Sequence, residues 1–271
     1  MTNTKKEYNV ICIKWGELYQ AEDVNKLFSM IKNNTSYSIN FYCFTENGSG
    51  LDADIKVKPL PQFENVKPGE EEWAMKYAYR KEAALCDDKL GGLTGQRVFF
   101  FDLDSLIVGN LDEFFDYPQD DKFYIINDWN TKGDTVGQAS CYSFVVGTLG
   151  YVKTYFEQHP KEVVTEFFTA SQEYLSHKII EKEGKLNFWP DNWFKSFRFH
   201  CLPKWYLRSF VTPKLPDVEG LKMVAFHGLP DIQDAIKGIW CSDKNNGKYP
   251  RGVKKIYKHL LPCPWILDYW K

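Results

Sequence analysis

The chain has 271 residues, of which 44% are hydrophobic and 26% are charged, and its 34 Lys and Arg against 36 Asp and Glu give a formal net charge of −2. These values exclude a disordered tail, a collagen-like fibre and a strongly basic nucleic-acid binder. A chain approaching this size buries roughly 75% of its unfolded surface. We therefore predict one globular domain over residues 1–271, whose core needs no disulfides. We expect no nucleic acid among the partners of the protein.

No targeting or membrane-spanning segment is predicted. The sequence contains no run of about 18 uncharged apolar residues, and no apolar run follows the lysines near its start. Its seven cysteines are scattered, odd in number and without a C-x-x-C pair, which is typical of buried thiols in a reducing compartment. We therefore expect a soluble, cytoplasmic protein.

Strands and helices alternate in the first part of the chain. Residues 10–13 are apolar and mostly β-branched and predict a strand, and the apolar spacing over residues 24–31 predicts a helix after it. A second strand is predicted at residues 39–44, closed by turn residues at 45–50. This alternation predicts an α/β fold, with a mostly parallel central sheet and flanking helices on both faces.

The remaining elements continue this alternation. In chain order we predict a helix at 68–85, a loop at 91–95, strands at 98–101, 123–126 and 142–146, helices at 151–158, 161–168 and 172–183, and a strand at 223–226. The segment 188–216 is rich in Trp, Phe, Pro and basic residues and has little periodicity. We expect it to be irregular and to cover a pocket.

The most informative segment is the all-apolar run at residues 98–101, which continues into Asp102, Leu103 and Asp104. Such a run is typical of a central parallel strand, and ligands bind beyond the carboxyl ends of these strands. Because strand side chains alternate, Asp102 and Asp104 should point the same way. Two neighbouring carboxylates need a compensating cation, and oxygen ligands suit Mg²⁺ or Mn²⁺. We expect Asp104 to be the direct ligand, and Asp102 to contact a ribose or to support the metal ligands. Alternatively, the two residues begin a turn or cap the next helix.

Residues 100–114, FFDLDSLIVGNLDEF, resemble the D-x-D segment of GT-A fold glycosyltransferases, nearest the branch of the glycogenin-like and bacterial lipopolysaccharide galactosyltransferases. Three more stretches resemble this family and occur in its order. They are IKWG at 13–16 with Tyr19, FTE at 44–46, and a late F-H-G-x-P motif at 226–230. The resemblance covers the chain from residue 10 to about residue 230.

This resemblance implies a Rossmann-like nucleotide-diphospho-sugar transferase fold. Its nucleotide-sugar-binding half would be residues 8–120, its acceptor-side half 121–230, and residues 231–271 would form a basic and aromatic C-terminal extension. It also implies a metal-dependent glycosyltransferase that moves a sugar from a nucleotide-sugar donor, UDP-linked, to a saccharide or other hydroxyl acceptor, including lipid-linked and protein acceptors. The branch is mainly retaining, but the residues leave open whether the anomeric configuration is retained or inverted.

The resemblance further implies the donor-binding and metal-binding residues. In this family the late histidine is the third protein ligand, so Asp102, Asp104 and His227 are the predicted ligands of Mn²⁺ or Mg²⁺, and a ring nitrogen favours Mn²⁺. The predicted donor-binding residues follow the early strands, precede and include the D-x-D segment, and belong to the late motif: Lys14, Trp15, Tyr19, Thr45, Arg80, Lys81, Asp102, Leu103 and Gly228.

The residue nearest the reacting sugar stays open. Similar proteins carry an Asp-Gln pair where this chain has Ser171 and Gln172. The candidate catalytic residues are therefore Gln172, Asp191 and Asp128. A second departure is Asp231, which stands where a lysine is common in relatives. The basic residues that could supply the missing diphosphate contact are Lys14, Arg80, Lys81 and Lys195.

Two rival functions use a similar fold. A nucleotidyltransferase that forms a sugar nucleotide usually has a Gly-rich, basic loop after its first strand, but this chain has KWGEL at residues 14–18. A non-catalytic sugar- or nucleotide-binding module is the other alternative. A scaffold that keeps this fold without activity should bind no nucleotide when Mn²⁺ is added.

Two aromatic and basic stretches each have two interpretations. The first could form an acceptor-sugar platform or a second core cluster, and its aromatic residues are Trp189, Trp193, Phe194, Phe197, Phe199 and Trp205. The second, residues 251–261, could be a basic amphipathic helix that approaches anionic lipid or an ordinary solvated helix. If residues 251–261 approach lipid, then Trp265, Tyr269 and Trp270 would act as membrane anchors. Peripheral membrane contact through the C-terminal basic segment is therefore one prediction.

Overall fold

The structure, a computed structural model, describes residues 5–64, 66, 79–131, 133–241, 250 and 252–271. Most of the helix predicted at 68–85 lies outside these ranges. Within them, its end is a helical turn at Tyr79–Glu82 followed by a 3₁₀ turn at Ala84–Cys86.

Ten strands form two sheets in the described part of the chain. The strands are β1 (Glu7–Lys14), β2 (Ser38–Thr45), β3 (Lys56–Lys58), β4 (Arg97–Phe101), β5 (Ser105–Ile107), β6 (Tyr124–Asn127), β7 (Gly137–Val145), β8 (Asn187–Phe188), β9 (Phe194–Ser196) and β10 (Met223–Ala225). The large sheet has the order β3-β2-β1-β4-β7-β6-β8, and the small sheet has the order β5-β10-β9.

Most neighbouring strands of the large sheet are parallel. β1 lies between β2 and β4 and is parallel to both, and the pairs β2/β3 and β6/β8 are parallel as well. β7 is antiparallel to its neighbours β4 and β6. The predicted α/β class and mostly parallel central sheet are therefore confirmed.

Helices flank the large sheet. They are α1 (Ala21–Asn33), α2 (Tyr79–Glu82), α3 (Asp112–Asp116), α4 (Gly150–Gln158), α5 (Pro160–Phe167), α6 (Ser171–Glu183) and α7 (Ile232–Lys237). The first helix begins where Gln20 N donates to Asp23 Oδ2 at 2.8 Å, which satisfies a backbone donor at the helix start. It buries Val24, Leu27 and Ile31, three of the apolar positions that predicted it.

The large sheet is buried on both faces. Val98 and Phe100 of β4 belong to one hydrophobic cluster, and Phe99 and Phe101 belong to a second one. Because successive strand side chains point to opposite faces, the two clusters cover opposite faces of the sheet. All four side chains are at most 1% exposed. The predicted central strand is therefore confirmed.

The small sheet brings the late motif to the end of β4. β5 begins directly after residues 102–104 and pairs antiparallel with β10, so that Ser105 lies opposite Ala225. The chain leaves β10 beside the D-x-D residues, where Phe226 N donates to Asp104 O at 3.0 Å. Segments 102–104 and 226–228, far apart in sequence, thus become neighbours through strand pairing.

The aromatic segment 188–216 is more ordered than its lack of periodicity predicted. It contains β9 and a π-helix at Phe197–Cys201. The second-core interpretation holds for most of its aromatic residues, because four of the six considered are buried and two are exposed: Trp189, Trp193, Phe194 and Phe197 against Phe199 and Trp205.

The described residues of the C-terminal tail do not form the basic amphipathic helix considered for them. They form 3₁₀ turns at Gly252–Ile256 and Pro264–Asp268. Trp270 is buried, and Trp265 Nε1 donates to Pro213 O at 2.9 Å, so these side chains pack against the protein instead of standing out as anchors. Among the described residues, no helix has both the length and the apolar character needed to cross a bilayer.

Candidate active site

The D-x-D residues form a tight turn instead of the end of a strand. β4 ends at Phe101, and Ser105 N donates to Asp102 O at 3.2 Å, which closes a turn over residues 102–105. The alternation of strand side chains therefore does not apply to Asp102 and Asp104. The two carboxylates have different surroundings, since Asp102 contacts a lysine and Asp104 lines a cavity.

Asp102 is paired with a largely buried cation. The Lys81 ammonium lies 2.5 Å from Asp102 Oδ2 and 3.2 Å from Glu82 Oε1. Burial alone would lower the pKa of Lys81, but the charges of Asp102 and then Glu82 raise it above its usual value. Lys81 therefore stays charged at neutral pH and places a fixed positive charge beside the D-x-D turn.

Glu82, which the sequence reasoning missed, is almost fully buried. Besides its ion pair with Lys81, its carboxylate accepts a hydrogen bond from the Ser171 hydroxyl, and its Oε2 has no partner among the described residues. Burial, opposed by Lys81, raises the pKa of Glu82 to about 7. This carboxylate joins α2 to the first residue of α6.

Glu82 is expected to make the protein less stable as pH rises from about 4.5 to about 7. In this window the folded protein holds a proton that the unfolded chain has already lost, so the stabilisation is complete below the window and is lost through it. The loss is about 3 kcal/mol for this pair of pKa values. Urea unfolding across this pH window should show that Glu82→Gln removes the loss of stability with rising pH. A Glu219→Gln control, at an exposed position, should keep the wild-type pH dependence of the free energy of unfolding. The same pH dependence in Glu82→Gln would show that Glu82 does not cause it.

A cavity of about 320 Å³ lies beside the D-x-D turn. We call it the first cavity. Its lining comes from the start of α1, the D-x-D turn, the segment after β10 and the C-terminus: Leu18, Tyr19, Asp23, Leu103, Asp104, Gly228, Leu229, Asp231, Ile232, Gln233 and Trp270. Three predicted donor-binding residues, Tyr19, Leu103 and Gly228, therefore come together here.

The first cavity is acidic. Asp23, Asp104 and Asp231 line it, and no Lys or Arg does so within the described ranges. Two of these carboxylates already hold helix starts, since Asp23 accepts from Gln20 N and Asp231 Oδ1 accepts from Asp234 N at 2.7 Å. An anionic ligand therefore needs a cation in order to bind in this cavity.

Asp104 is the carboxylate whose surroundings fit such a cation. Its Oδ1 is buried and has no hydrogen-bond partner in the described part of the chain. Burial, and after it the charge of Asp102, raises the pKa of Asp104 well above its usual range. A divalent cation would supply the missing partner and stabilise the ionised form, as hard cations do at carboxylate oxygens.

His227 has partners of its own. Its Nε2 lies 2.7 Å from Ser196 Oγ, and its ring stacks on Trp129 with the centroids 5.5 Å apart. Burial, and after it the charge of Arg198, lowers the pKa of His227 to about 4. The ring is therefore neutral at neutral pH, which a metal ligand requires, but Nε2 can bind a metal only by leaving Ser196.

The three predicted metal ligands do not form one cluster. Among the residues that the structure describes, no group of three or more His, Cys, Asp or Glu side chains lies close enough together to hold a metal ion. Asp102 contacts Lys81, Asp104 lines the first cavity, and His227 contacts Ser196. Metal binding by Asp102 and His227 stays a prediction.

Two of the candidate catalytic residues line a second cavity, of about 270 Å³. Asp128 is buried there, and its Oδ2 accepts hydrogen bonds from the backbone N–H groups of Asn130 and Thr131, so that it holds its own loop. Asp191 is exposed and is the more accessible carboxylate. The cavity also has aromatic and basic side chains: Trp129, Trp189, Phe194, Lys195 and His200.

The dipeptide at residues 227–228 is linked to both cavities. Gly228 lines the first cavity, whereas His227 stacks on Trp129, which lines the second. Gly228 has a φ of 80°, a left-handed conformation that favours glycine, and a Cβ there would lie 3.4 Å from a guanidinium nitrogen of Arg198. Two cavities linked in this way suit a reaction between two substrates.

Gln172, the third candidate catalytic residue, is not among the described residues that line either cavity. It lies on the first turn of α6, and its Oε1 accepts from Ala139 N at 3.3 Å. Its neighbour Ser171 is buried and hydrogen-bonded to Glu82. Of this pair, Ser171 contacts Glu82 and Gln172 contacts β7.

The other predicted donor-binding residues lie at the ends of β1 and β2 and on α2. Lys14 and Thr45 are opposite one another at the strand ends, and both are buried. Trp15 packs against the core, and Arg80 is buried. Lys195, considered for a diphosphate contact, lines the second cavity. None of these five residues, Lys14, Trp15, Thr45, Arg80 and Lys195, lines the first cavity.

Sequence reasoning missed several residues that shape the site: Glu82, Trp129, Ser196, His200 and Gln233. Each reaches the site through tertiary contacts and belongs to no local motif. Ser196, for example, meets His227 because β9 pairs with β10. The adjacent charges of Lys81 and Glu82 in a predicted helix were the one available signal.

No protein-family model and no curated protein matches this sequence. Solved structures, however, are similar to it. An active-site mutant of LgtC has 11% sequence identity and a TM-score of 0.54, with 82% of this chain and 88% of that chain covered. The galactosyltransferase LgtC in complex with donor and acceptor sugar analogues has 12% identity and a TM-score of 0.50, with 81% and 87% covered.

The apo form of the glycosyltransferase GlyE from Streptococcus pneumoniae TIGR4 has 10% identity and a TM-score of 0.46; the match covers 70% of this chain and spans 46% of the length of GlyE. At such identities, structural likeness is informative about architecture, and of these three structures the two of LgtC reach a TM-score of 0.50 or more. The chain therefore has the GT-A fold that these glycosyltransferase structures display.

Proposed function

We propose that this protein is a metal-dependent glycosyltransferase that moves a sugar from a nucleotide-sugar donor, UDP-linked, to a hydroxyl group of a saccharide acceptor. The observation that carries the proposal is the pair of cavities linked by residues 227–228, through Gly228 and the stack of His227 on Trp129, with the unpartnered Oδ1 of Asp104 beside the first. A transfer reaction needs adjoining sites for donor and acceptor, and a diphosphate donor needs positive charge at its site.

The first cavity is suited to the diphosphate end of the donor, provided that a cation is present. Mn²⁺ or Mg²⁺ held by Asp104 would act as a Lewis acid on the leaving diphosphate. Lys81 adds a fixed positive charge beside Asp102. With its remaining lone pairs, Asp102 can accept a hydrogen bond from a hydroxyl group of the nucleotide sugar. These residues orient the donor and balance the charge that develops on the leaving group.

The second cavity is suited to the acceptor. Trp189, which is packed in the core, lines part of it. Trp129 offers an aromatic face of the kind that binds sugars. If the reaction inverts configuration, Asp191 would take the proton of the acceptor hydroxyl; if it retains configuration, the departing phosphate would take that proton.

A nucleotide-release screen tests the proposal. The protein is incubated with UDP-, GDP- and dTDP-sugars in the presence of Mn²⁺, Mg²⁺ or a chelator, and the released nucleoside diphosphate is measured. We expect release of UDP that requires Mn²⁺ or Mg²⁺. Absence of nucleotide release, together with absence of nucleotide binding by calorimetry in Mn²⁺, would contradict the proposal and favour a non-catalytic module. Pyrophosphate release from a nucleoside triphosphate and a sugar phosphate would instead indicate a nucleotidyltransferase.

Asp191→Asn is expected to lower the transfer rate to a saccharide acceptor by about 10²-fold if Asp191 is the general base. UDP affinity, measured by calorimetry, should not change, because Asp191 lines the second cavity and not the first. Asp217→Asn, at another exposed aspartate, is the matched control and should transfer at the wild-type rate. Wild-type transfer by Asp191→Asn would exclude this role and favour the retaining route.

A further inference from the structure

One surface of the protein carries exposed aromatic and aliphatic side chains from two stretches of the chain. We call it the aromatic patch and define it by Trp205, Tyr206, Phe210, Val253 and Tyr257. Phe210 is 82% exposed and Val253 is 75% exposed. Single exposed apolar residues are common on soluble proteins, but large aromatic residues grouped on one surface mark an interaction site.

The two stretches belong to one surface because they contact each other. The Arg208 guanidinium donates a hydrogen bond to the Tyr257 carbonyl, and Ser209 Oγ lies 2.8 Å from His259 Nε2. The first stretch begins with a 3₁₀ turn at Trp205–Leu207, and the second with the turn at Gly252–Ile256. Hydrogen bonds through the polar residues thus hold the segments together while the apolar side chains remain exposed.

Both stretches lack acidic residues. Residues 192–216 contain five Lys and Arg and no Asp or Glu, and residues 244–267 contain six Lys and Arg and again no Asp or Glu. The two stretches hold 11 of the 34 Lys and Arg, which leaves 23 Lys and Arg against 36 Asp and Glu in the rest of the chain. Of the six basic residues in the second stretch, Lys244, Lys248 and Arg251 lie outside the residues that the structure describes. Exposed Lys204 and Lys254 are direct neighbours in sequence of Trp205 and Val253.

We propose that the aromatic patch binds the surface of an anionic lipid bilayer. Aromatic side chains such as Trp205 and Phe210 partition into the boundary between headgroups and acyl chains, and nearby Lys and Arg pair with anionic headgroups. This surface includes Val253 and Tyr257 of the basic segment 251–261 considered from the sequence, but its anchoring residues differ, because Trp265 and Trp270 pack against the protein. The inference does not depend on the proposed sugar transfer.

The aromatic patch is also connected to the second cavity. His200, which lines that cavity, belongs to the π-helix Phe197–Cys201, and the chain leads from this helix to Trp205. Within the same helix Phe199 is exposed and stacks on His227 with the centroids 5.8 Å apart. The π-helix therefore connects the second cavity to the aromatic patch, where the bilayer would bind.

Vesicle flotation with the full chain tests the proposal. Vesicles of phosphatidylcholine alone are compared with vesicles that also contain phosphatidylglycerol, at low and high salt. We expect binding to the phosphatidylglycerol vesicles that weakens as salt rises, because surface charges are screened. The double variant Trp205→Ser, Phe210→Ser should lower the apparent affinity by at least about tenfold. Absence of binding of the wild type to the anionic vesicles would overturn the proposal.

Val57→Ser is the matched control, because Val57 is 49% exposed and lies on the edge strand β3, outside the aromatic patch. It should bind vesicles as the wild type does. Phe210→Ser alone, at a side chain that packs against little, covers the case in which the double variant fails to fold. Vesicle binding that is unchanged in Phe210→Ser but is competed away by heparin would show general polyanion binding and would overturn the lipid proposal.

Discussion

Asp104→Asn is expected to abolish metal-stimulated turnover of the sugar donor, with a loss of roughly 10³-fold or more. The side chain keeps its shape but loses the charge of the one carboxylate of the first cavity whose buried oxygen lacks a partner among the described residues. Nucleotide release with Mn²⁺, measured beside UDP binding by calorimetry, gives the result. Undiminished turnover in this variant would refute the assignment of Asp104.

The same substitution should leave the protein at least as stable as the wild type. Burial and the charge of Asp102 raise the pKa of Asp104, so its ionisation at neutral pH opposes folding, and a neutral Asn removes this cost. Thermal unfolding at neutral pH should therefore show an equal or higher Tm. Asp217→Asn, at an exposed position, should change neither Tm nor turnover. A lower Tm in Asp104→Asn would mean that lost turnover reflects damaged folding.

Lys81→Met is expected to cost stability and donor affinity together. The substitution leaves Asp102 and buried Glu82 without their shared cation, and breaking a buried ion pair in this way typically costs about 3–5 kcal/mol. It also removes the fixed positive charge beside the D-x-D turn, so the Kd for UDP in Mn²⁺ should rise by about 10–100-fold. Urea unfolding and calorimetry measure the two effects separately.

Lys153 offers the matched control for Lys81. Its ammonium lies 2.5 Å from Asp87 and 3.6 Å from Glu157, an arrangement of two carboxylates around one lysine outside both cavities. Lys153→Met should therefore lower stability without changing UDP affinity. If Lys81→Met and Lys153→Met behave alike, with stability lowered and UDP affinity intact in both, then Lys81 is a structural residue and has no part in donor binding.

The position of the acidic turn was predictable because it depends on local pattern. Four consecutive apolar strand formers at residues 98–101 are buried on both faces of a sheet, and the structure has β4 at Arg97–Phe101. The helical spacing of residues 24–31 likewise lies within α1, Ala21–Asn33. The tail was less predictable, since its basic and aromatic composition suits either a lipid-facing helix or packing against the protein.

The roles of individual carboxylates were less predictable than the elements that carry them. Asp128 and Asp191 were equal candidates in sequence, but Asp128 is buried and holds its own loop, whereas Asp191 is exposed in the second cavity. Gln172 was chosen by resemblance and lies against β7, with Ala139 N as its donor. Such differences depend on which backbone donors approach a side chain, and local spacing does not contain that information.

Taken alone, the order and spacing of residues determined an α/β architecture and the strand end at which acidic residues accumulate, because periods of two and 3.6 are properties of neighbouring residues. Only the tertiary structure decided how those acids are used. Lys81 of α2 contacts Asp102, and the pairing of β9 with β10 sets Ser196 against His227. The Oδ1 of Asp104 is left unpartnered among the described residues beside the first cavity. These contacts depend on side-chain directions in a turn and on strand register, which no single segment of the chain specifies.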